Sequence, residues 1–310
     1  MESYIKKMAQ KFRMDGCRPV DNPCFQESQL YDEKSPRQDY PVSEVIGCLS
    51  WAACACRADI SHPVSVLSRI TCKPTTKGIV YCIKKVLRYL INTPEIGLYY
   101  SPQMERSFNE TYDKIRSDGQ QTQRWNAFSD ASFASDFVTL KSISGSLIYY
   151  RGTPIAWRPN RQSVRTNSTF ESEFVAMSDT LILESSLDFL GFFGEPTDGT
   201  LWCDNQTAVT VAKSPSGGER PKSRHVALRY LRVVDVADRI QFCPTEHMKA
   251  DTLTKLNVSG DIRKNLFYHN PDMKNARKQA PDCEEQEQLL VLNDDIGCCF
   301  YSTLEYLDDI

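Results

Sequence analysis

Arg124-Trp125-Asn126-Ala127-Phe128-Ser129-Asp130 is a short apolar run that ends on a carboxylate, and Leu201-Trp202-Cys203-Asp204 repeats the arrangement later in the chain. Both read as strands with an acid at the end. Between them, Ser144 to Tyr150 alternates in polarity as a second strand, Arg151-Gly152 fits a tight hairpin turn, and Thr153 to Trp157 makes a third. A helix is predicted from about Ser168 to Phe189, with Phe174, Met177, Leu181 and Ile182 on one side. After the strand over Thr200–Cys203 come a short helix over Gln206–Lys213, an exposed Pro- and Gly-containing loop from Ser214 to Pro221, and a helix from about Val226 to Ala237. Arg239 to Cys243 reads as a fifth strand, and Asp251 opens a last short helix.

That order predicts an α/β fold: a mixed five-stranded sheet, a hairpin trio extended through helical crossovers, with helices on both faces. It brings Asp130 and Asp204 side by side at strand ends. Glu173 can reach them from the first helix and Asp251 from the last. Four carboxylates in one cleft repel one another unless a cation lies between them, the arrangement that holds two Mg²⁺ ions for phosphodiester cleavage.

The rest of the chain is mainly helical in pattern. Residues 2–14 form an amphipathic helix on Tyr4, Ile5, Met8 and Phe12. Residues 17–40, polar and holding Pro19, Pro23 and Pro36, read as linker. Ser43 to Ser68 is apolar-rich and helical, broken near Ala58-Asp59-Ile60 and at Pro63. Thr75 to Leu90 carries the stripe Ile79, Ile83, Val86, Leu90 beside Lys77, Lys84, Lys85 and Arg88. Residues 101–123 are polar, contain an Asp118-Gly119 turn signal, and are taken as the domain boundary.

Composition narrows the function classes. The 310 residues suggest about two domains. No run of about 18 apolar residues predicts a membrane span, and the start lacks the apolar core of a secretion signal. Twelve cysteines are scattered with no C-x-x-C, and with four histidines they make a structural zinc site improbable. The net charge of −3 is uneven: residues 1–116 hold 17 Lys and Arg against 13 Asp and Glu, and residues 257–310 hold 5 against 11. A basic first part fits phosphate contact as well as it fits an ordinary solvated surface.

Further strings lead to a family. Ile46-Gly47-Cys48-Leu49-Ser50-Trp51-Ala52 with Arg57-Ala58-Asp59-Ile60, Val86-Leu87-Arg88-Tyr89-Leu90 with Gly97-Leu98, and Ser129-Asp130-Ala131-Ser132-Phe133-Ala134 come first. Ser144-Gly145, Ile155-Ala156-Trp157, Ser168 to Ala176, Cys203-Asp204-Asn205-Gln206-Thr207-Ala208, and Ala250-Asp251-Thr252-Leu253-Thr254-Lys255 follow in order. Together, over about residues 2–256, they resemble the C-terminal part of a Ty1/copia-type retrotransposon polyprotein: the end of the reverse transcriptase and its ribonuclease H domain. The resemblance implies a thumb- or connection-like segment over 1–116, a ribonuclease H-like domain over 122–257, and an acidic extension over 258–310 without a counterpart.

It also implies that Asp130, Glu173, Asp204 and Asp251 are catalytic and bind two Mg²⁺ ions, with Mn²⁺ as a substitute. Glu171 is a rival to Glu173, two helical positions away. The expected reaction is hydrolysis of the RNA strand of an RNA–DNA hybrid, with 2′-hydroxyls read in the minor groove. Arg158, Arg161 and Arg165 are candidate phosphate contacts, or simply a polar loop. The alternative is an inactive remnant that binds nucleic acid only. No Tyr-x-Asp-Asp string occurs, so polymerase chemistry is not expected of this chain, and the rest of a reverse transcriptase is a possible partner. Ala227 stands where the family shows an acid, and His247 lies four residues before Asp251. No membrane partner is implied; cytoplasmic particles, in part nuclear, are the expected setting.

Overall fold

A computed structural model describes residues 1–191, 194, 199–214 and 224–256. The chain divides into two compact units, and among the described residues the break falls between Leu98 and Tyr99.

The first unit is helical: α1 (Glu2–Lys11), α2 (Val42–Ala55), α3 (Ser61–Ser68) and α4 (Lys77–Asn92). The α4 stripe Ile79, Ile83, Val86 and Leu90 is buried, and Thr76 caps the helix by accepting from the Ile79 N–H. Residues 17–40 are not a bare linker. Cys24, Phe25 and Leu30 are buried, Glu27–Leu30 forms a 3-10 turn, and Arg37 pairs with Thr76. Its few apolar residues anchor the segment although its average is polar. Within this unit lies a fully buried ion pair. Arg57 donates to both Asp59 oxygens (3.0 and 2.8 Å), to Thr93 O and to Thr93 Oγ1. The Tyr89 hydroxyl donates to Asp59 at 2.7 Å.

The second unit opens with α5 (Pro102–Ile115), which lies inside the polar stretch read as a boundary. Ser101 caps it, Pro102 takes the first helical position, and Met104, Phe108 and Tyr112 repeat every fourth residue as its buried face. The sheet strands are β1 (Trp125–Ser132), β2 (Ile143–Tyr150), β3 (Thr153–Arg161), β4 (Thr200–Cys203) and β5 (Ile240–Phe242). Their order is β3-β2-β1-β4-β5. β1–β2 and β2–β3 are antiparallel, while β1–β4 and β4–β5 are parallel. This is the mixed five-stranded sheet the sequence predicts. The helices α6 (Thr169–Leu190), α7 (Gln206–Lys213) and α8 (Arg224–Val234) fall in the crossovers.

Alternation along β2 divides the sheet into two faces. Ser144 and Ser146 hydrogen-bond to Asp179 and Thr180 of α6. On the opposite face Tyr149 stacks on Phe108 of α5 at 5.3 Å, and Tyr112 packs against Phe128 and Trp202. The Arg151-Gly152 turn has positive φ at both positions (47° and 75°), as a two-residue hairpin requires. A Cβ on Gly152 would also lie 2.9 Å from the Phe108 Cβ, so glycine lets α5 cross the hairpin.

Of the predicted loop over Ser214–Pro221, residues 215–221 lie outside the described residues, as does the acidic extension 258–310. No described helix is long and apolar enough to cross a membrane.

Arg57→Ala leaves the Asp59 charge buried without its guanidinium. The expected loss is about 3–5 kcal/mol of folding stability, read as a fall in the urea midpoint. A change under about 1 kcal/mol would mean the pair behaves like a surface contact.

Candidate active site

β1 and β4 run parallel with Ser129 opposite Cys203, so the next residue on each strand, Asp130 and Asp204, emerges at the same edge of the sheet. This edge lies between a strand neighbour reached by a hairpin and one reached through a helix, the kind of crevice in which α/β sheets bind ligands. Asp130 is 2% exposed. Asn205 caps α7 by accepting from the Ala208 N–H at 3.0 Å, which turns the chain sharply after Asp204.

Asp251 lies within a 3-10 turn over Lys249–Leu253 rather than at the start of an α-helix. That turn packs on β1 and β2. Its approach depends on Gly145, the β2 residue opposite Asp130. A Cβ there would meet Thr254 Cγ2 at 2.8 Å and the Ala250 carbonyl at 2.9 Å. With glycine in place, Thr254 donates its hydroxyl to Asp130 Oδ2. Lys255 Nζ binds Asp251 Oδ1 at 2.7 Å.

Glu173 comes from the first turns of α6 and is 6% exposed. The Ala131 backbone N–H favours its charged form without offsetting burial, and Oε2 has no hydrogen-bond partner. Glu171 is held elsewhere. Its side chain accepts from the Asn167 N–H at 2.7 Å, and its own N–H donates to Ser168 Oγ, a capping arrangement for α6.

The four predicted acids converge. Ligand atoms of Asp130, Asp204 and Asp251 lie within 4.8 Å of one another, and so do those of Glu173, Cys203 and Asp204. Asp204 belongs to both groups. Burial, with Asp251 and Asp204 nearby, pushes Asp130 up to about 7. Burial, with Asp130 and Asp204, pushes Glu173 well above the carboxylate range. Asp204 rises through burial and Asp251. Burial alone would lower Lys255, but Asp130, Asp251 and Asp204 raise it on balance. Burial also pushes the Cys203 thiol far up, with Glu173 adding.

The predicted cations fit this donor set. It is mainly carboxylate oxygen, as Mg²⁺ and Mn²⁺ prefer. It carries an orphaned buried oxygen on Glu173, and its groups resist ionising together without a compensating charge.

The candidate phosphate contacts separate. Arg158 and Arg161 lie within β3, not beyond it. Arg158 lies near the half-buried Asp179 and favours its charged form, and Arg161 reaches Asp136 at 3.5 Å. Arg165 is exposed in the following loop. His247 gives its backbone carbonyl to the Tyr112 hydroxyl at 2.8 Å. Sequence reasoning missed Thr254 and Lys255 as partners of the acids, although the i,i+4 spacing of Lys255 from Asp251 was the available signal. It also missed Cys203 as part of the cluster.

The sequence is 27% identical over 271 residues to the retrovirus-related Pol polyprotein from transposon TNT 1-94 of Nicotiana tabacum, covering 82% of this chain and 19% of that one. The chain is a homologue of copia-type retrotransposon Pol polyproteins. The Pol polyproteins from transposons RE1 and RE2 of Arabidopsis thaliana are each 27% identical over 263 residues, 81% of this chain and 16% of theirs. The chain thus spans less than a fifth of the length of these curated relatives. No family model matches the sequence.

Two outcomes are expected of the site. Gly145→Ala drives a methyl into Thr254 and Ala250, and should cost about 1–3 kcal/mol while loosening the turn that carries Asp251. Urea unfolding measures the first effect, and amide exchange over 249–254 the second. The pH effect follows from the raised acids. The folded chain holds protons on Asp130, Glu173 and Asp204 that the unfolded chain has released. For Asp130 this occurs between its ordinary value of 3.8 and about 7. In chelator, stability is therefore full below the ordinary value and declines as pH rises through that window. Asp130→Asn should flatten the decline and raise the melting temperature at pH 7. A wild-type chain that gains stability across the window would contradict the assignment.

Proposed function

We propose that the second unit is a ribonuclease H that hydrolyses the RNA strand of RNA–DNA hybrids, as part of a retrotransposon polyprotein. The observation that carries this reading is the convergence of Asp130, Glu173, Asp204 and Asp251 from four separate elements onto one edge of the sheet. Two Mg²⁺ or Mn²⁺ ions held by these acids would supply an activated water and neutralise the charge on the leaving 3′ oxygen.

The chain's own residues provide the geometry. Thr254 fixes one oxygen of Asp130 and leaves the other for a ligand. Lys255 orients Asp251 and offsets part of the negative charge before substrate arrives. Glu173 Oε2, buried without a hydrogen-bond partner, remains available. Asp204, the more exposed of the two strand-end acids, faces the side from which substrate would enter. Exposed Arg165 is the most available of the three arginines for a phosphate, because Arg158 and Arg161 already lie near carboxylates. Hybrid recognition would rest on 2′-hydroxyl and backbone contacts rather than on base sequence.

Cleavage of an end-labelled RNA–DNA hybrid in Mg²⁺ tests the reading. The parent chain should cut, and Asp204→Asn should lose about 100-fold or more, on the order of 3 kcal/mol. A folded parent that binds hybrid and leaves it intact would overturn the enzyme and leave a binding protein.

A further inference from the structure

The group formed by Glu173, Cys203 and Asp204 differs in chemistry from the group formed by Asp130, Asp204 and Asp251. One is two carboxylates and a thiol; the other is all oxygen. From the first group we infer a second cation pocket, selective for a thiophilic divalent ion such as Zn²⁺ or Cd²⁺, whose occupancy excludes the hard cations from Asp204.

Three features support it. Cys203 Sγ and the two carboxylate oxygens already lie within 4.8 Å of one another. A tetrahedral zinc site, with bonds of 2.0–2.3 Å, places its ligand atoms about 3.5 Å apart. Small side-chain movements therefore close the site. Second, Glu173, whose carboxylate belongs to this group, has its Oε2 buried with no hydrogen-bond partner. A ligand atom there would satisfy it. Third, the neighbouring thiol is turned away: Cys243 Sγ is directed to the Pro244 carbonyl at 3.6 Å. Cys203 therefore supplies the sulfur, and a fourth position stays open toward the more exposed Asp204.

Selectivity follows from ligand softness. Mg²⁺ takes oxygen and gains nothing from a protonated thiol. A thiophilic ion displaces the thiol proton and forms a metal–sulfur bond. Because Asp204 is common to both groups, the two modes of binding compete. The pocket would act as an inhibitory site on the proposed nuclease. It shares residues with that reading but needs no catalysis to exist.

The test uses the full chain in a phosphine reductant, titrated with Cd²⁺ and followed by the ultraviolet thiolate-to-cadmium charge-transfer absorption. Other cysteines also bind cadmium, so the informative signal is the difference between the parent and a Cys203→Ser variant whose fold is checked by circular dichroism. The tightest phase should weaken at least tenfold in Cys203→Ser. It should also weaken about tenfold in Glu173→Gln, which keeps the thiol and serves alone should the serine variant not fold. Excess Mg²⁺ should shift the parent's phase to higher Cd²⁺. A tightest phase unchanged in the folded variants overturns the inference. A chain that binds Cd²⁺ through Cys203 yet never cuts hybrid would sink the proposed function alone. One that cuts hybrid with the same Cd²⁺ inhibition in parent and Cys203→Ser would sink the pocket alone.

Discussion

Like charges held close together in a poorly solvated place are the constraint on which the second unit is built. Asp130 and Glu173 are buried, Asp204 and Asp251 partly so, and burial opposes the ionisation of Asp130, Glu173 and Asp204. Nothing in the folding of a sheet calls for such a cluster. It is tolerated because it is spread over β1, α6, β4 and the Lys249–Leu253 turn, each anchored by packing elsewhere. The aromatic layer of Phe108, Tyr112, Phe128, Tyr149 and Trp202 holds α5 against one face of the sheet. Hydrogen bonds from Ser144 to Asp179 and from Thr180 to Ser146 hold α6 against the other. The strain of the cluster is thus borne by contacts that do not touch it.

Much of this was legible in the order of elements. The hairpin was readable from Arg151-Gly152 because few dipeptides adopt two successive positive φ values. The α6 start was readable from Ser168 and Glu171, which turned out to cap the helix rather than to serve the site. Asp130 and Asp204 were legible as strand-end acids for the same local reason. What failed was judgement by average polarity. α5 has few apolar residues, but they fall at Met104, Phe108 and Tyr112, and Ser101-Pro102 marks its start. In residues 17–40 the prolines masked Cys24, Phe25 and Leu30, three buried anchors without a period. Apolar spacing, not apolar content, decides whether a polar segment packs.

Long-range partners were the least legible. Gly145 carries no side chain, so its role exists only in the void it leaves for Thr254 and Ala250. No local rule distinguishes it from a glycine that bends a strand. Arg158 and Arg161 read as free cations in a loop because β3 was predicted to stop at Trp157. Four more strand residues place Arg158 near Asp179 and bring Arg161 to Asp136. A strand end misplaced by one turn of sequence changes which charges are available.

The pairing of β1 with β4 does more than place two acids side by side. With Ser129 opposite Cys203, a shift of one residue would still leave two strand ends at the same edge, but would turn one of the two acids to the other face of the sheet. Trp202 resists such a shift, since its indole N–H donates to Asn126 Oδ1 at 2.9 Å while its ring packs on Tyr112. The register is therefore set by a buried hydrogen bond two and four residues behind the acids, on the well-packed side of the strands. Asp204 can then belong to both ligand groups at once, because its position is determined by Trp202 and Asn205 on either side of it and not by the charges it faces. That separation between what positions the carboxylate and what it faces is the physical reason such a cluster can form.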